Sequence, residues 1–272
     1  MIHRTFDFKG TTVNYQDEGR GDVVIVFLHG FLEDLRVWAP YVYSYMRSVR
    51  VIAIDLLGHG ESGCISDIHS MDVQAEMVKA VLDRAKVSSC VMIGHSMGGY
   101  VTLAFAKLYP QCLKGFCLLN SHALNDGEEA KERRRRTCDI IAENRAGFIV
   151  KFIPNLFAVE NRAALSADIK ELQEYALCTK TEGMTAAQKG MLLRPNYLDV
   201  LQSSKVPVLF IIGKHDNRIS LEPMMVQSFM PEHCEVLALE HAGHMCHIEA
   251  KEILKFRLLS FAQMCFLLKG RL

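Results

Sequence analysis

One short segment of the sequence has the residue types and the setting of a nucleophile. Positions 94–99 read Gly-His-Ser-Met-Gly-Gly, after an apolar run at 90–93 and before a helix-like run that ends at Pro110. A strand that turns sharply into a helix at a serine holds the hydroxyl up on a strained turn. Glycines flank such a serine because a Cβ there would collide with the crossing chain. The segment therefore predicts that Ser96 is a nucleophile.

A serine hydroxyl needs an imidazole to take its proton, and the imidazole needs a carboxylate to orient it. Asp216 comes just past the strand-like run 206–212, where a charged residue would lie over the end of the sheet beside the serine turn. Asp126, which follows the strand-like run 115–119, is the rival acid.

Three histidines are candidates for the base, and all lie after the last strand-like run. His244 is favoured because it sits in a glycine-containing turn between that run and a helix. His247 falls into the helix, where a packing or surface role is the ordinary interpretation. His241 lies nearer the strand end and is also compatible with a polar loop.

Attack on an acyl carbon creates an oxyanion, which needs backbone N–H donors held in place. The N–H of Met97 is one candidate, because it follows the nucleophile at the start of a helix. The N–H of Phe31, in the loop after the strand-like run 23–28, is the second. The ring of Phe31 is equally a candidate wall of the substrate pocket.

The elements that must position these groups alternate along the chain. Strand-like runs separated by helical patterns predict an α/β fold with a mostly parallel central sheet and helices on both faces. Ligands of such sheets bind at the carboxyl ends of the strands. The strand-like runs are 12–15, 23–28, 51–54, 90–93, 115–119, 206–212 and 234–239.

The stretch 121–197 has no strand-like run and carries amphipathic segments instead. We therefore expect residues 1–120 and 198–272 to form the core, and 121–197 to form a helical cap that is an insertion and not an independent domain. Apolar side chains of the cap are candidates for the substrate pocket. They are Phe148, Phe152, Phe157, Met184 and Met191.

Composition narrows the function classes. The chain has 272 residues, with 31 basic and 31 acidic side chains, so no surplus charge favours nucleic acid or a membrane surface. The basic run at 131–136 contains acid–base pairs at helical spacing, as expected of a solvated helix face. The nine dispersed cysteines and the lack of an apolar signal segment at the first residues predict a cytoplasmic protein with reduced thiols. No spacing indicates a metal site.

Taken together, these motifs resemble the α/β-hydrolase fold family, in its serine hydrolase or esterase branch with a helical cap. The order of serine, aspartate and histidine along the chain is that family's order. The resemblance implies Ser96 as nucleophile, His244 as base, Asp216 as its orienting acid, and no cofactor. Two departures from many relatives are Leu32–Glu33 and Cys246, at places where proline is common. The matching segments are 29–31, Trp38, 55–62, 94–99, Gly213 with Asp216, and 243–244.

The expected reaction is cleavage of a carboxylic ester or related acyl bond of a small molecule. Epoxide hydrolases and haloalkane dehalogenases of the family that this chain resembles carry aspartate at the position of Ser96. Ser96 therefore argues against both activities. Related carbon–carbon bond hydrolases often have asparagine before the serine, and His95 favours ester cleavage instead. Carbon–carbon hydrolysis, an elimination with the same three residues, a perhydrolase or haloperoxidase side activity, and a small-molecule receptor on this fold remain alternatives.

Overall fold

Strands of five to eight residues form one mixed sheet, and its interior strands are mostly apolar. The computed structural model describes residues 3–268; residues 1, 2 and 269–272, which the expected core includes, lie outside the description. Within the described residues the sheet has eight strands in the order β1-β2-β4-β3-β5-β6-β7-β8. The strands are β1 (His3–Phe8), β2 (Thr11–Glu18), β3 (Val24–Leu28), β4 (Arg50–Ile54), β5 (Cys90–His95), β6 (Leu113–Leu119), β7 (Val208–Gly213) and β8 (Cys234–Leu239).

Strands β4, β3, β5, β6, β7 and β8 are parallel to one another, whereas β2 is antiparallel to both of its neighbours, β1 and β4. The predicted mostly parallel sheet is therefore confirmed. Strand β1 was not among the predicted strands. Four of its six residues are exposed and only Phe8 is buried, so it lacks the apolar signal of the interior strands.

Alternate residues of each interior strand face two separate apolar layers. In β3, Val26 and Leu28 belong to one layer, and Ile25 and Phe27 belong to the other. Because both faces of the sheet are covered by helices, these strands are apolar throughout. The helices of the described chain are α1 (Ala39–Tyr45), α2 (Met71–Arg84), α3 (Met97–Leu108), α4 (Glu128–Phe152), α5 (Ser166–Cys178), α6 (Thr181–Leu192), α7 (Leu198–Gln202), α8 (Leu221–Ser228), α9 (Cys246–Glu249) and α10 (Lys251–Leu267).

The chain between β6 and β7 is helical. Helix α4 has a kink at Asn144, whose φ of −151° and ψ of 74° are not helical. Pro154 lies in a short 3₁₀ turn, Ile153–Leu156, that continues from the end of α4. Proline stops the helix there because it lacks the N–H that an α-helix requires. The segment then folds back through α5 and α6, and α4 packs against α6.

Among the described residues, every helix falls short of the length and apolarity that a bilayer span requires.

Candidate active site

Ser96 occupies the sharp turn between β5 and α3. Its backbone has φ of 49° and ψ of −111°, a region that side chains with a Cβ rarely adopt. The turn needs its glycines. A Cβ on Gly94 would come 2.3 Å from the backbone oxygen of Gly98, and a Cβ on Gly98 would come 2.3 Å from that of Leu28. The strained turn is therefore held by backbone packing on both sides of the serine.

The structure brings Ser96, His244 and Asp216 into one hydrogen-bonded line. His244 Nε2 lies 2.9 Å from Ser96 Oγ, and His244 Nδ1 lies 2.8 Å from Asp216 Oδ2. The carboxylate of Asp216 accepts a hydrogen bond from the Nδ1–H of His244, which leaves the Nε2 lone pair facing the serine hydroxyl. This arrangement can take the hydroxyl proton as Ser96 attacks an electrophile.

The loop after β7 holds Asp216 as an anion. Its Oδ1 accepts hydrogen bonds from the backbone N–H groups of Arg218 and Ile219, at 2.8 and 3.1 Å, and Asn120 donates to Oδ2 at 2.9 Å. Burial by itself raises the pKa of Asp216, but the interaction with His244 and these hydrogen bonds outweigh it and leave that pKa below its usual value. The carboxylate is therefore ready to stabilise an imidazolium.

The rival candidates lie in other interactions. Asp126 forms ion pairs with Arg134 and Arg194. His241 is exposed and lies 3.0 Å from a carboxylate oxygen of Glu160. His247, the third candidate base, lies on α9. It is buried, and its Nε2 faces Glu33 and not Ser96.

The two candidate oxyanion donors have N–H groups without acceptors. Met97 is the first residue of α3, so its N–H has no partner inside the helix. No acceptor in the described range 3–268 takes a hydrogen bond from the N–H of Phe31 or Met97. Phe31 and Ser96 line the same cavity. Both residues thus stay candidates for the oxyanion donors, since neither N–H is taken up by a protein acceptor in that range.

A buried cluster that the sequence reasoning missed lies directly behind the line. Glu33 Oε2 lies 3.0 Å from His95 Nδ1 and accepts the N–H of Gly30 at 2.6 Å. His95 Nε2 lies 2.9 Å from the backbone oxygen of His244. His247 Nε2 lies 3.3 Å from Glu33 Oε1. The cluster therefore connects the loop of Phe31, the residue before Ser96, and the backbone of the candidate base His244.

Hydrogen bonds and charge attraction together indicate the protonation states in this cluster. An ionised carboxylate and a backbone oxygen only accept hydrogen bonds, so with Glu33 ionised both ring nitrogens of His95 carry a proton. Although burial opposes each charge, their attraction raises the pKa of His95 and holds the pKa of Glu33 well below its usual range. Burial lowers the pKa of His247 to about 4, so that ring is neutral.

The same three side chains are the group within the described residues that comes closest to a metal-binding set. Their ligand atoms lie within 4.8 Å of one another. A doubly protonated His95 has no lone pair for a metal ion, however, so the hydrogen bonds favour an ion pair over a metal centre.

A cavity of about 80 Å³ opens above Ser96 between the sheet and the helical segment. Of the cap residues expected in the pocket, Phe152 and Met191 line it, and Leu156 lines it as well. Phe148 lies outside the lining and stacks on the ring of Phe152, with 5.0 Å between ring centroids. Phe157 and Met184 also lie outside it, because both are buried in the apolar core.

Two arginines at the cavity were also not foreseen. Arg134 of α4 and Arg218 of the loop after β7 both line it. Arg134 was part of the basic run that the sequence explained as a solvated face, yet its side chain is mostly buried, at 19% exposure. The sequence could not show this, because residue spacing within α4 does not tell which face of the helix is turned towards the cavity.

Comparison with known proteins gives a consistent result. The model of the alpha/beta hydrolase fold family matches residues 23–251. The dihydrolipoyllysine-residue acetyltransferase component of the acetoin cleaving system of Pseudomonas putida is 31% identical over 89% of this chain, which spans 64% of that relative's length. A putative 2-succinyl-6-hydroxy-2,4-cyclohexadiene-1-carboxylate synthase of Bacillus subtilis is 26% identical, with 86% of this chain and 88% of the relative covered.

Solved structures agree in fold. A thermophilic esterase from Thermogutta terrifontis with malate bound is 27% identical and has a TM-score of 0.91. That match covers 97% of this chain and 99% of the esterase. The esterase of Exiguobacterium antarcticum, at 20% identity and a TM-score of 0.83 with 93% and 96% covered, shares the fold.

Proposed function

Because this chain belongs to the alpha/beta hydrolase fold family, we propose that it is a serine hydrolase that cleaves a carboxylic ester or a related acyl bond. The observation that carries the proposal is the continuous line from Ser96 Oγ through His244 to Asp216, with contacts of 2.9 and 2.8 Å. Esterases among the structural neighbours support it, in particular the one from Thermogutta terrifontis.

In the proposed reaction, Ser96 Oγ attacks the carbonyl carbon while His244 Nε2 takes the hydroxyl proton. Asp216 stabilises the resulting imidazolium. The N–H groups of Phe31 and Met97 would receive the negative oxygen of the tetrahedral intermediate. His244 then gives its proton to the leaving alcohol. Water, deprotonated by the same imidazole, hydrolyses the acyl-enzyme and restores Ser96.

We further propose that residues 121–197 act as a cap over this site, on the core formed by 1–120 and 198–272. Support comes from Arg134, Phe152 and Met191 of that segment, which line the cavity above Ser96. All nine cysteines are free thiols, which supports the proposal of a reducing, cytoplasmic location.

The proposal is tested with Ser96→Ala on a short p-nitrophenyl ester. We expect turnover to fall to the uncatalysed background, while Ser203→Ala, at an exposed serine that does not line the cavity, keeps the wild-type rate. Circular dichroism would establish that both variants are folded. Wild-type turnover by folded Ser96→Ala would reject the assignment.

Hydrolysis of a carbon–carbon bond is the second candidate. A 2-hydroxy-6-oxononadienedioate/2-hydroxy-6-oxononatrienedioate hydrolase of Paraburkholderia phymatum is 25% identical over 92% of this chain and 90% of its own length. The same three residues could serve that reaction. Assaying a vinylogous diketone beside the ester separates the two, since the proposal predicts that the ester has the higher kcat/KM.

A further inference from the structure

The cavity above Ser96 continues into a second, polar cleft under α4. This cleft has a volume of about 250 Å³ and shares five lining residues with the first. The shared residues are Tyr100, Arg134, Phe152, Gln188 and Arg218. A ligand whose acyl carbon lies at Ser96 can therefore extend past two guanidinium groups.

The cationic charge of this cleft is not balanced by its carboxylates. Asp126 is the acid of the cleft, and both its oxygens are engaged: Arg134 Nε donates to Oδ2, and Arg194 Nη2 lies 2.8 Å from Oδ1. Two arginines thus share one aspartate. Arg133, also in the lining, pairs with Glu129 on the outer face of α4.

Arg218 is the group left without a counter-ion. Within residues 3–268, its guanidinium makes no ion pair and no hydrogen bond; it lies over the ring of Phe152, 5.0 Å from the centroid. Asp216, two residues earlier, turns its Oδ1 to the backbone N–H of Arg218 and not to the guanidinium. Arg218 is exposed, so a ligand entering the cleft can reach it.

The acid that lines the cavity above Ser96 does not cancel this charge. Glu33 is paired with the protonated ring of His95, 3.0 Å away, so its charge is balanced within the wall. Arg134 is held in a fixed direction by Asp126 and by Gln188, whose Oε1 accepts from Nη1 at 3.0 Å. The cleft is therefore preorganised around a net positive charge.

From this arrangement we propose that the substrate carries a carboxylate, bound by Arg218 with Arg134, at a distance from the bond that Ser96 attacks. A carboxylate fits because its two oxygens match the planar fork of a free guanidinium. The inference rests on the proposed hydrolase function and deepens it by naming the substrate class, which is half-esters or lactone acids.

The test compares matched esters that differ in one terminal group. Monomethyl succinate, glutarate and adipate are paired with methyl butanoate, pentanoate and hexanoate, and 3-acetoxypropanoate is paired with propyl acetate. The wild-type protein should have the higher kcat/KM for the anionic member of at least one pair. Arg218→Gln should lower that ratio of anionic to neutral kcat/KM roughly tenfold to a hundredfold, because a hydrogen bond to a charged group is lost.

Arg136→Gln is the matched control, since Arg136 lies on α4, pairs with Glu132 and does not line either cleft. Its ratio should equal that of wild type. Hydrolysis of neutral esters with no anion preference in any pair, or a ratio that Arg218→Gln leaves unchanged, would overturn the inference while leaving the proposed function intact.

A failure of the hydrolase proposal gives a different result. If wild type cleaves no ester, calorimetric titration of the half-esters into Ser96→Ala still decides the inference. Binding that is lost in the double variant Ser96→Ala/Arg218→Gln would support it, and equal binding by both, or none by either, would overturn it.

Discussion

Replacing Glu33 by glutamine tests the buried ion pair behind the active site. Glu33 and His95 have side chains 1% and 2% exposed, and they lie 3.0 Å apart. The amide keeps the shape but removes the charge, so the imidazolium of His95 is left buried without its partner. Breaking a buried pair in this way costs about 3–5 kcal/mol.

The hydrogen bonds of Glu33 indicate which part of that range the loss of stability should reach. Glu33 Oε2 accepts from both Gly30 N–H and His95 Nδ1. A glutamine oxygen can keep the first bond but cannot compensate the charge of His95. Release of the His95 proton limits the cost, so we expect the free energy of unfolding near pH 6 to fall by about 3 kcal/mol.

The effect of Glu33→Gln should depend on pH in a defined direction. The pKa of His95 is raised in the folded protein, so its contribution is complete below its unfolded pKa of about 6.5 and is lost as pH rises through the folded value. The pKa of Glu33 is lowered, so its contribution is present above about 4.3 and is lost as pH falls through the folded value. The difference between wild type and variant should therefore be largest between about pH 4.5 and 6.5.

Urea unfolding, followed by the fluorescence of Trp38, measures this difference. Trp38 is the single tryptophan, is fully buried, and lies 5.1 Å from the ring of His247. Glu129→Gln, at an exposed pair on α4, is the control and should change stability by less than about 1 kcal/mol. A loss below about 1 kcal/mol at pH 6, or the same loss at pH 6 and 9, would refute the ion pair.

Three further predictions concern Asp216, the turn at Ser96 and the buried histidines. Asp216→Asn should lower kcat on a p-nitrophenyl ester about 10⁴-fold, because the imidazole of His244 loses its orienting anion. A loss below tenfold would contradict the proposed role of Asp216. Gly98→Ala should sharply lower the melting temperature, because its Cβ would come 2.3 Å from a backbone oxygen of β3, whereas Gly127→Ala, with nothing within 4 Å, should leave it nearly unchanged. The pKa values of His122 and His247 are lowered to about 4 by burial, so stability should fall as pH drops from about 6.5 towards 4; a melting temperature flat over that interval would argue against neutral rings.

The fold class was predictable because the interior strands are covered on both faces. Runs such as β3 and β7 are apolar without interruption, and that pattern can be recognised in one sequence alone. Parallel strands also end at the same edge of the sheet. Residues that follow strands, such as Asp216, could therefore be predicted to lie near Ser96.

Side-chain direction within the helical segment was not predictable. Phe148 and Phe152 are one helical turn apart on α4, yet only Phe152 reaches the cavity. Which face of a helix points to a site depends on how the helix packs, and the kink at Asn144 changes that direction within α4. The same limit hid Arg134, which looked like one more charge on a solvated helix.

The cluster of Glu33, His95 and His247 was hidden for a different reason. Its members come from three segments separated by more than 60 residues each, and nothing in the sequence near one of them points to the other two. Sequence spacing carries no information about such a contact. Only the convergence of the loop after β3, the end of β5 and α9 shows it.

Labelling with a fluorophosphonate probe tests the central proposal most directly, because the probe reacts with a serine whose hydroxyl is activated. Intact mass and peptide mapping should show one adduct per chain, located on Ser96. The labelling rate should fall at least a hundredfold in His244→Ala, since the proton acceptor 2.9 Å from Ser96 Oγ is gone. No adduct on the wild-type chain, an adduct on another residue, or equal labelling of His244→Ala would contradict the activated nucleophile on which the account rests.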